Sequence, residues 1–255
     1  MIIVISPAKT LDFEEIDNNL PMSEPRFLEK SQEIMNELTK YDSYSLEKLM
    51  KISTKLATLN RDRIEKWTTS LETSKQALLA FRGDAYRGMD VGSLSHSELF
   101  YANDHLRILS GLYGVLRPFD GINEYRLEMG IKLPVNDLKD LYEFWDKTLE
   151  EGILEEIKDH KNKTIINLAS KEYFKSIEGL VNRKEVNVIT ITFKEFRGDK
   201  YKIISLNAKR ARGMMSRYII QNEIEDIEDI KKFNLDGYEF NEEISTEKEL
   251  VFTRE

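Results

Sequence analysis

The chain has 255 residues, of which 40% are hydrophobic and 33% charged, with no cysteine and a formal net charge of −8. This is the composition of a globular protein with an ample core, and the missing cysteine excludes disulfides, thiolate metal sites and thiol nucleophiles. No apolar run approaches the ~20 residues of a membrane span, and MIIVISPAK lacks the basic flank and long apolar stretch of a signal peptide, so a cytoplasmic protein with no membrane partner is expected.

The acidity is localised. Gln221 to Glu249 carries 11 acids and three bases, which accounts for the whole net charge and leaves the remainder neutral. Exposed charges are screened beyond about 8 Å at physiological salt. An acidic tail therefore need not cancel a basic patch elsewhere, and nucleic acid stays open as a partner.

In chain order, Ile2 to Ile5 is a fully apolar β-branched run, the pattern of a buried strand, and Ser6-Pro7 ends it. Polar helical sequence follows. Ser23 reads as the N-cap of a helix with Phe27, Ile34, Leu38 and Tyr41 on one face. Leu46, Leu49 and Met50 mark a second helix, and Leu56, Leu59, Ile64 and Trp67 a third. SxxE at Ser95 to Glu98 is a capping box that opens a helix with Leu99, Ala102 and Leu106 inward. Leu141, Tyr142, Trp145 and Leu149 predict a long helix from about Leu138, which Gly152 ends or bends.

Thr164 to Leu168 is a second buried strand. Val186 to Phe196 and Lys200 to Ser205 read as two strands joined by an Arg197-Gly198-Asp199 turn, which explains that tripeptide without an adhesion role. Asn207 to Asn222 predicts a helix, and the alternation at Tyr238, Phe240, Leu250 and Phe252 a final strand pair. No linker, repeat or low-complexity segment interrupts the chain. Residues 1–255 therefore read as a single domain of α/β (mixed α+β) class, a central mixed sheet flanked by helices.

Polar chemistry is concentrated between Leu106 and Gly130. This stretch holds Gly111, Gly114, Gly121 and Gly130, and with Gly83, Gly88 and Gly92 the window 80–130 has seven of the chain's 12 glycines. Glycine is dense where backbone takes positive φ or approaches another backbone or a ligand. Here it alternates with Arg107, Arg117 and Arg126 and with Asp120, Glu124 and Glu128. The carboxylates fit general acid or base work, or simple ion pairs with Arg117 and Arg126.

Four apolar runs close on serine before a turn or helix start: Ser6 before Pro-Ala-Lys9, Ser110 before Gly111 and Gly114, Ser170 before Lys171 and Tyr173, and Ser205 before Asn-Ala-Lys209. Each serine alone is an ordinary N-cap or turn former. If the four strands are parallel in one sheet, their carboxyl ends share the edge where open α/β sheets bind ligands. That predicts a crevice lined by Ser6, Lys9, Ser110, Asn167, Ser170 and Lys209, with Gly111, Gly114, Asp120, Glu128 and Tyr173 beside them.

From Lys202 to Arg217 the sequence has Lys202, Lys209, Arg210, Arg212 and Arg217 and no acid. The helix dipole prefers acids at a helix start, so this run is either a solvated face or an anion site, where arginines hold phosphate by paired hydrogen bonds. Gly213 in mid-helix costs about 1 kcal/mol against alanine, which implies close approach of a packed helix or a ligand.

Other signals fail. SPAKTL lacks the glycines of a phosphate loop, and no GxSxG, GxGxxG or DxDxDG is present. His96, His105 and His160 are widely spaced without HxH or HExxH company, so no metal and no cofactor is expected. HLRILSGLYGVL has some likeness to a helix-hairpin-helix, the small DNA-backbone binder. Its glycines are three apart where that pattern has two, and a strand running into a glycine turn fits equally well.

Taken together, ISPAKTLDF at 5–13, LMKISTKLA at 49–57, AFRGDAYRG at 80–88, LRILSGLYGVLRPFD at 106–120, YRLEMGI at 125–131, LYEFW at 141–145, INLASKEYFKSI at 166–177, KIIS with AKRARGMMSRYII at 202–220 and FNLDGYEF at 233–240 resemble the YaaA family, also called UPF0246, over essentially the whole chain. The resemblance implies a part in the response to peroxide stress, through low free intracellular iron and less Fenton damage. It also implies DNA binding through a helix-hairpin-helix-like element, here Leu106 to Arg117, and a basic cleft that takes Lys9, Lys209, Arg210, Arg212 and Arg217; Arg117 and Arg126 are expected as further phosphate contacts. The family supplies no catalytic residues, and any effect on iron or peroxide is expected to be indirect. The alternative is an enzyme acting on a nucleotide, nucleobase or other phosphate-bearing small molecule in the strand-exit crevice.

Overall fold

The fold is built on the continuous apolar runs, because parallel strands covered on both faces need no polar alternation. The computed structural model of the chain describes residues 1–14 and 19–255. At its centre is β1 (Ile2–Ile5), every residue of which is buried. It pairs in parallel with β2 (Leu106–Ser110) on one side and β4 (Thr164–Leu168) on the other. Beyond β2 lies antiparallel β3 (Gly114–Leu116). Beyond β4 come parallel β5 (Asn187–Arg197) and β8 (Glu249–Arg254), then antiparallel β7 (Glu239–Phe240). The short β6 (Lys200–Lys202) folds back on the far end of β5. The result is one eight-stranded mixed sheet, parallel in the middle and antiparallel at its edges.

Helices cover both faces: α1 (Leu28–Leu38), α2 (Ser43–Met50), α3 (Thr54–Lys66), α4 (Asp84–Met89), α5 (His96–His105), α6 (Leu141–Trp145), α7 (Thr148–Ile157), α8 (Lys171–Phe174) and α9 (Ser205–Gln221). The expected capping box opens α5, with Ser95 and Glu98 each bonding the other's backbone N–H. A buried cluster runs through the molecule from Met1 to Phe252.

Several local expectations change for identifiable reasons. Ser23 does not cap α1, whose first flanking residue is Phe27. The Ser23 hydroxyl donates instead to buried Asp120, 2.7 Å away, and stitches the entry of α1 to the loop after β3. In α3 the inward residues are Ala57, Asn60 and Ile64, while Leu56 and Leu59 face outward. The long helix expected from Leu138 is two helices broken at Asp146 (φ 37°), and Gly152 sits inside the second, where Phe27 packs against its backbone.

Leu106 to Arg117 is not a helix-hairpin-helix. It is a β-hairpin in which Ile108, Leu109 and Ser110 face Leu116, Val115 and Gly114. Ser110 Oγ closes the turn by accepting from the N–H groups of Leu112 and Tyr113, at 3.2 and 2.9 Å. The apolar residues that a helical hairpin would place on one face are buried on both faces of a strand beside β1.

Candidate functional site

Ligands bind open α/β sheets where the strand order reverses, beyond the carboxyl ends of the strands. Here β2 lies on one side of β1 and β4 on the other, so the reversal falls between β1 and β4. A crevice of about 400 Å³ opens there. Its floor is Ile5, Ser6, Pro7, Ala8 and Lys9 from the exit of β1. Leu168, Ser170, Glu172 and Tyr173 from the exit of β4 line one wall, and Arg82 to Arg87 at the start of α4 line another. Lys209 and Arg212 of α9 and Glu128 complete it.

The two strand exits are tied directly. The Ser170 N–H donates to Ser6 Oγ at 2.8 Å, and the two hydroxyls lie 3.3 Å apart. Ser170 also caps α8, so its ordinary role and its place at the crevice coincide. The Tyr86 hydroxyl donates to the Ser6 carbonyl at 3.2 Å. Burial raises the pKa of both Tyr86 and Tyr173, so both rings stay neutral at physiological pH. Glu172 is fixed by the Gly130 N–H, which donates to its Oε1 at 2.9 Å. Glu128 is shared between Lys9 at 2.5 Å and Arg126 at 3.2 Å.

The glycine in mid-α9 has a packing cause. A Cβ on Gly213 would lie 1.7 Å from the Ala85 carbonyl oxygen, and one on Gly88 would lie 2.1 Å from that of Arg210. Two glycines let α4 and α9 cross at backbone contact. This crossing carries Arg212 to the crevice, on the helical turn next to Asp84 and Ala85.

Arg212 is unlike the other crevice cations. Its Nε is buried without a hydrogen-bond partner among the described residues, and burial alone lowers its pKa. Among the described residues no carboxylate pairs with it or with Lys209, whereas Lys9, Arg82 and Arg87 pair with Glu128, Asp12 and Asp84. A guanidinium held away from water without an anion raises the free energy of the empty site, and a bound anion relieves it.

Of the residues singled out in the sequence, the crevice gathers Ser6, Lys9, Glu128, Ser170, Tyr173, Lys209 and Arg212. The others serve the scaffold. Ser110 is fully buried and bonds the Tyr125 hydroxyl at 2.7 Å. Gly111 lies against the Leu127 carbonyl, and Gly114 takes φ +72° under Trp145. Asp120 is buried and accepts from Ser23 and from the backbone and guanidinium of Arg117. Asn167 caps its own strand, accepting from the Ala169 N–H and donating to Thr190.

Arg117 faces the opposite edge of the sheet, and Arg126 lies behind Glu128. Arg217 donates to the carbonyls of Met89 and Asp90 and so ties down the end of α4. Arg210 is exposed. The fourth serine, Ser205, does not end a parallel strand, because β6 runs antiparallel and α9 begins at that residue. Its helix still reaches the crevice by returning across α4. Arg82, Asp84, Arg87 and Glu172 had no role legible in sequence; their signals were the glycine density of AFRGDAYRG, the closeness of Glu172 to Ser170 and the place of both segments in the YaaA resemblance.

A family profile described as "Peroxide stress protein YaaA" matches residues 1–244. The chain belongs to the YaaA family. It is 56% identical to a UPF0246 protein of Clostridium beijerinckii, over all of this chain and 98% of that one. It is 54% identical to a UPF0246 protein of Clostridium botulinum (strain Eklund 17B), with both chains covered in full. It is also 44% identical to one of Aliivibrio fischeri, over all of this chain and 98% of that one. Full-length matches to YaaA relatives extend the likeness over β1, the α4 segment, the β4 exit and α9 together, so the crevice lies wholly within the matched length.

At the other edge of the sheet, two histidines that looked isolated in sequence meet. His105, His160 and Glu225 present ligand atoms within 4.8 Å of one another. The Met1 ammonium lies among them, 3.2 Å from His160 Nδ1 and 3.1 Å from Glu225, and His105 Nδ1 donates to the Met1 carbonyl. No helix among the described residues is long and apolar enough to cross a membrane.

Proposed function

We propose that the protein serves the response to peroxide stress, as its YaaA family is described, by binding a phosphate-bearing nucleotide unit in the crevice between β1 and β4. The observation that carries this reading is Arg212, a half-buried guanidinium that has no anion among the described residues and lies on the lining of a ligand-sized cavity. Lys209 beside it adds a second cation without an ion-pair partner among the described residues. Ile5, Pro7, Ala8, Leu168 and the rings of Tyr86 and Tyr173 supply the apolar walls a base needs.

This reading narrows the DNA expectation to part of its residues. With Leu106 to Arg117 folded as a β-hairpin and Arg117, Arg126 and Arg217 bonded within the protein, phosphate contacts fall to Lys209, Arg210 and Arg212. An effect on iron and Fenton chemistry follows indirectly, from what the protein holds.

Thermal unfolding with AMP, adenosine and inorganic phosphate tests the reading. At a hundredfold excess over its dissociation constant, a ligand stabilises by about 2.7 kcal/mol. For a chain of this size that raises Tm by roughly 5–10 °C. AMP should stabilise the wild type more than adenosine does, and Arg212→Met should abolish the difference. Equal stabilisation of wild type and Arg212→Met by AMP, or no response of the wild type to any nucleotide, refutes it.

A further inference from the structure

We infer that His105, His160 and Glu225, gathered at the amino ends of the parallel strands, form a binding site for one divalent transition-metal ion of the zinc type. The site lies at the edge of the sheet opposite the crevice between β1 and β4, so neither reading depends on the other.

The register of the sheet brings the cluster together. β2, β1 and β4 are parallel neighbours, so the residues that lead into them meet at one edge. His105 is the last residue of α5 and directly precedes β2, whose Leu106 is the register partner of Ile3. His160 lies in the turn between α7 and β4, and Met1 directly precedes β1. Glu225 reaches the same point from the segment after α9, where the Asn162 side chain donates to its carbonyl at 2.6 Å. Buried strands therefore set the spacing of both imidazoles, the kind of rigid support that a metal site needs.

The lone pairs of the cluster already converge on a cation. The Met1 ammonium donates to His160 Nδ1 at 3.2 Å and to Glu225 Oε2 at 3.1 Å. A metal ion that enters takes those same lone pairs and displaces the ammonium from them. His105 is oriented on two sides: its Nδ1 donates to the Met1 carbonyl at 2.8 Å, and its ring stacks on Tyr101 with centroids 3.9 Å apart. A backbone carbonyl on one ring nitrogen is the usual way a metal-bound histidine is held, and it leaves the lone pair on the other nitrogen.

The three ligand atoms lie within 4.8 Å of one another. An ion bonded to each at about 2.1 Å draws them closer by about an ångström. Glu225, whose side chain is 43% exposed, is able to make that movement.

Access and charge agree with this assignment. All three residues line a solvent-open crevice of about 860 Å³, which gives an ion its entry path and leaves coordination positions to water. Arg26 and Arg107 on the same lining are neutralised by Glu155 and Glu156. Among the described residues, Asp104 and Asp159 on the lining have no basic partner, against a single such cation, Lys161.

The donors select the class of ion. Two imidazoles with one carboxylate suit Zn²⁺, which takes that set and keeps an open position. Mg²⁺ and Ca²⁺ are held by oxygen ligands. Soft ions prefer thiolates, and the chain has no cysteine.

The test is isothermal titration calorimetry of the metal-free full chain with ZnCl₂, and with MgCl₂ as control. One saturable Zn²⁺ site per chain is expected, with no heat from Mg²⁺. His160→Gln and Glu225→Gln should each weaken Zn²⁺ about tenfold or more. His96→Gln removes the histidine outside the cluster and should leave the affinity unchanged. Titration with Co²⁺ adds a readout at the metal itself, a visible absorption band that His105→Gln should abolish. A thermal melt in metal-free buffer checks that each variant folds.

Unchanged Zn²⁺ affinity in both His160→Gln and Glu225→Gln overturns the inference. So does binding of Mg²⁺ as tight as that of Zn²⁺, loss of Zn²⁺ in His96→Gln, or a wild type with no saturable Zn²⁺ site.

Discussion

Replacing Gly213 with alanine is the sharpest probe of how the crevice is assembled. The new methyl would lie 1.7 Å from the Ala85 carbonyl oxygen, 2.6 Å from its carbon and 2.8 Å from the Met89 nitrogen, whereas ordinary contact begins at 3.4 Å. All three neighbours are backbone, so no rotamer change relieves the clash, and α9 must lift from α4 by about 1.7 Å. Overpacking of this kind costs about 1–3 kcal/mol, occasionally more. The better helix propensity of alanine returns about 1 kcal/mol. With the clash at the upper end, the net loss is about 2 kcal/mol, or a Tm lower by roughly 4–8 °C. Urea unfolding should show a lower midpoint at unchanged slope. Because the lifted segment carries Arg212, AMP-dependent stabilisation should fall as well. A Gly213→Ala variant as stable as the wild type would show that the crossing has room for a methyl group and that Gly88 and Gly213 do not set the position of Arg212.

Two further outcomes test the scaffold around the site. Ser110→Ala removes the acceptor of the Leu112 and Tyr113 N–H groups and the partner of the Tyr125 hydroxyl, all buried. The expected loss is about 2–4 kcal/mol, read by denaturant unfolding, and a loss under half a kilocalorie would deny Ser110 its turn-closing role. His160 is held at a pKa of about 4, below its ordinary 6.5, first by burial and then by the Met1 ammonium; burial lowers His105 in the same direction. Below 6.5 the unfolded chain takes up protons that the folded protein refuses. This stability is therefore whole above about pH 6.5 and lost as pH falls toward 4. In His160→Gln the fall between those values should be shallower, and an unchanged pH profile would mean that the imidazole is not held neutral in the fold.

Much of the framework was legible in the sequence because it follows from local patterning. Fully apolar Ile2 to Ile5 and the largely apolar Thr164 to Leu168 have the pattern of buried strands, and the Ser95–Glu98 capping box states its own geometry. The Arg197-Gly198-Asp199 turn and the closing strand pair were equally readable. Boundaries were less so where tertiary contacts compete with propensity. Ser23 had a cap's chemistry, but Asp120 claimed its hydroxyl. Leu138 to Leu149 had one helical stripe, but the backbone breaks at Asp146.

For the site, the sequence determined which residue types were available, that serines and basic residues follow strand ends, and that glycines mark close approach. It also carried the family, through long ordered motifs. Only the tertiary structure decided which of these residues meet. Arg117, Arg126, Arg212 and Arg217 are alike as sequence, yet three are bonded to the protein's own carboxylates or carbonyls and Arg212 has no anion among the described residues. Ser6 and Ser170 meet across 164 residues of chain, while Ser110, equally placed at a strand end, turns inward. Whether a polar group is available to a ligand depends on what already satisfies it, and that partner comes from distant chain. Local sequence fixes a side chain's chemistry, and packing fixes whether it has any valence left to use.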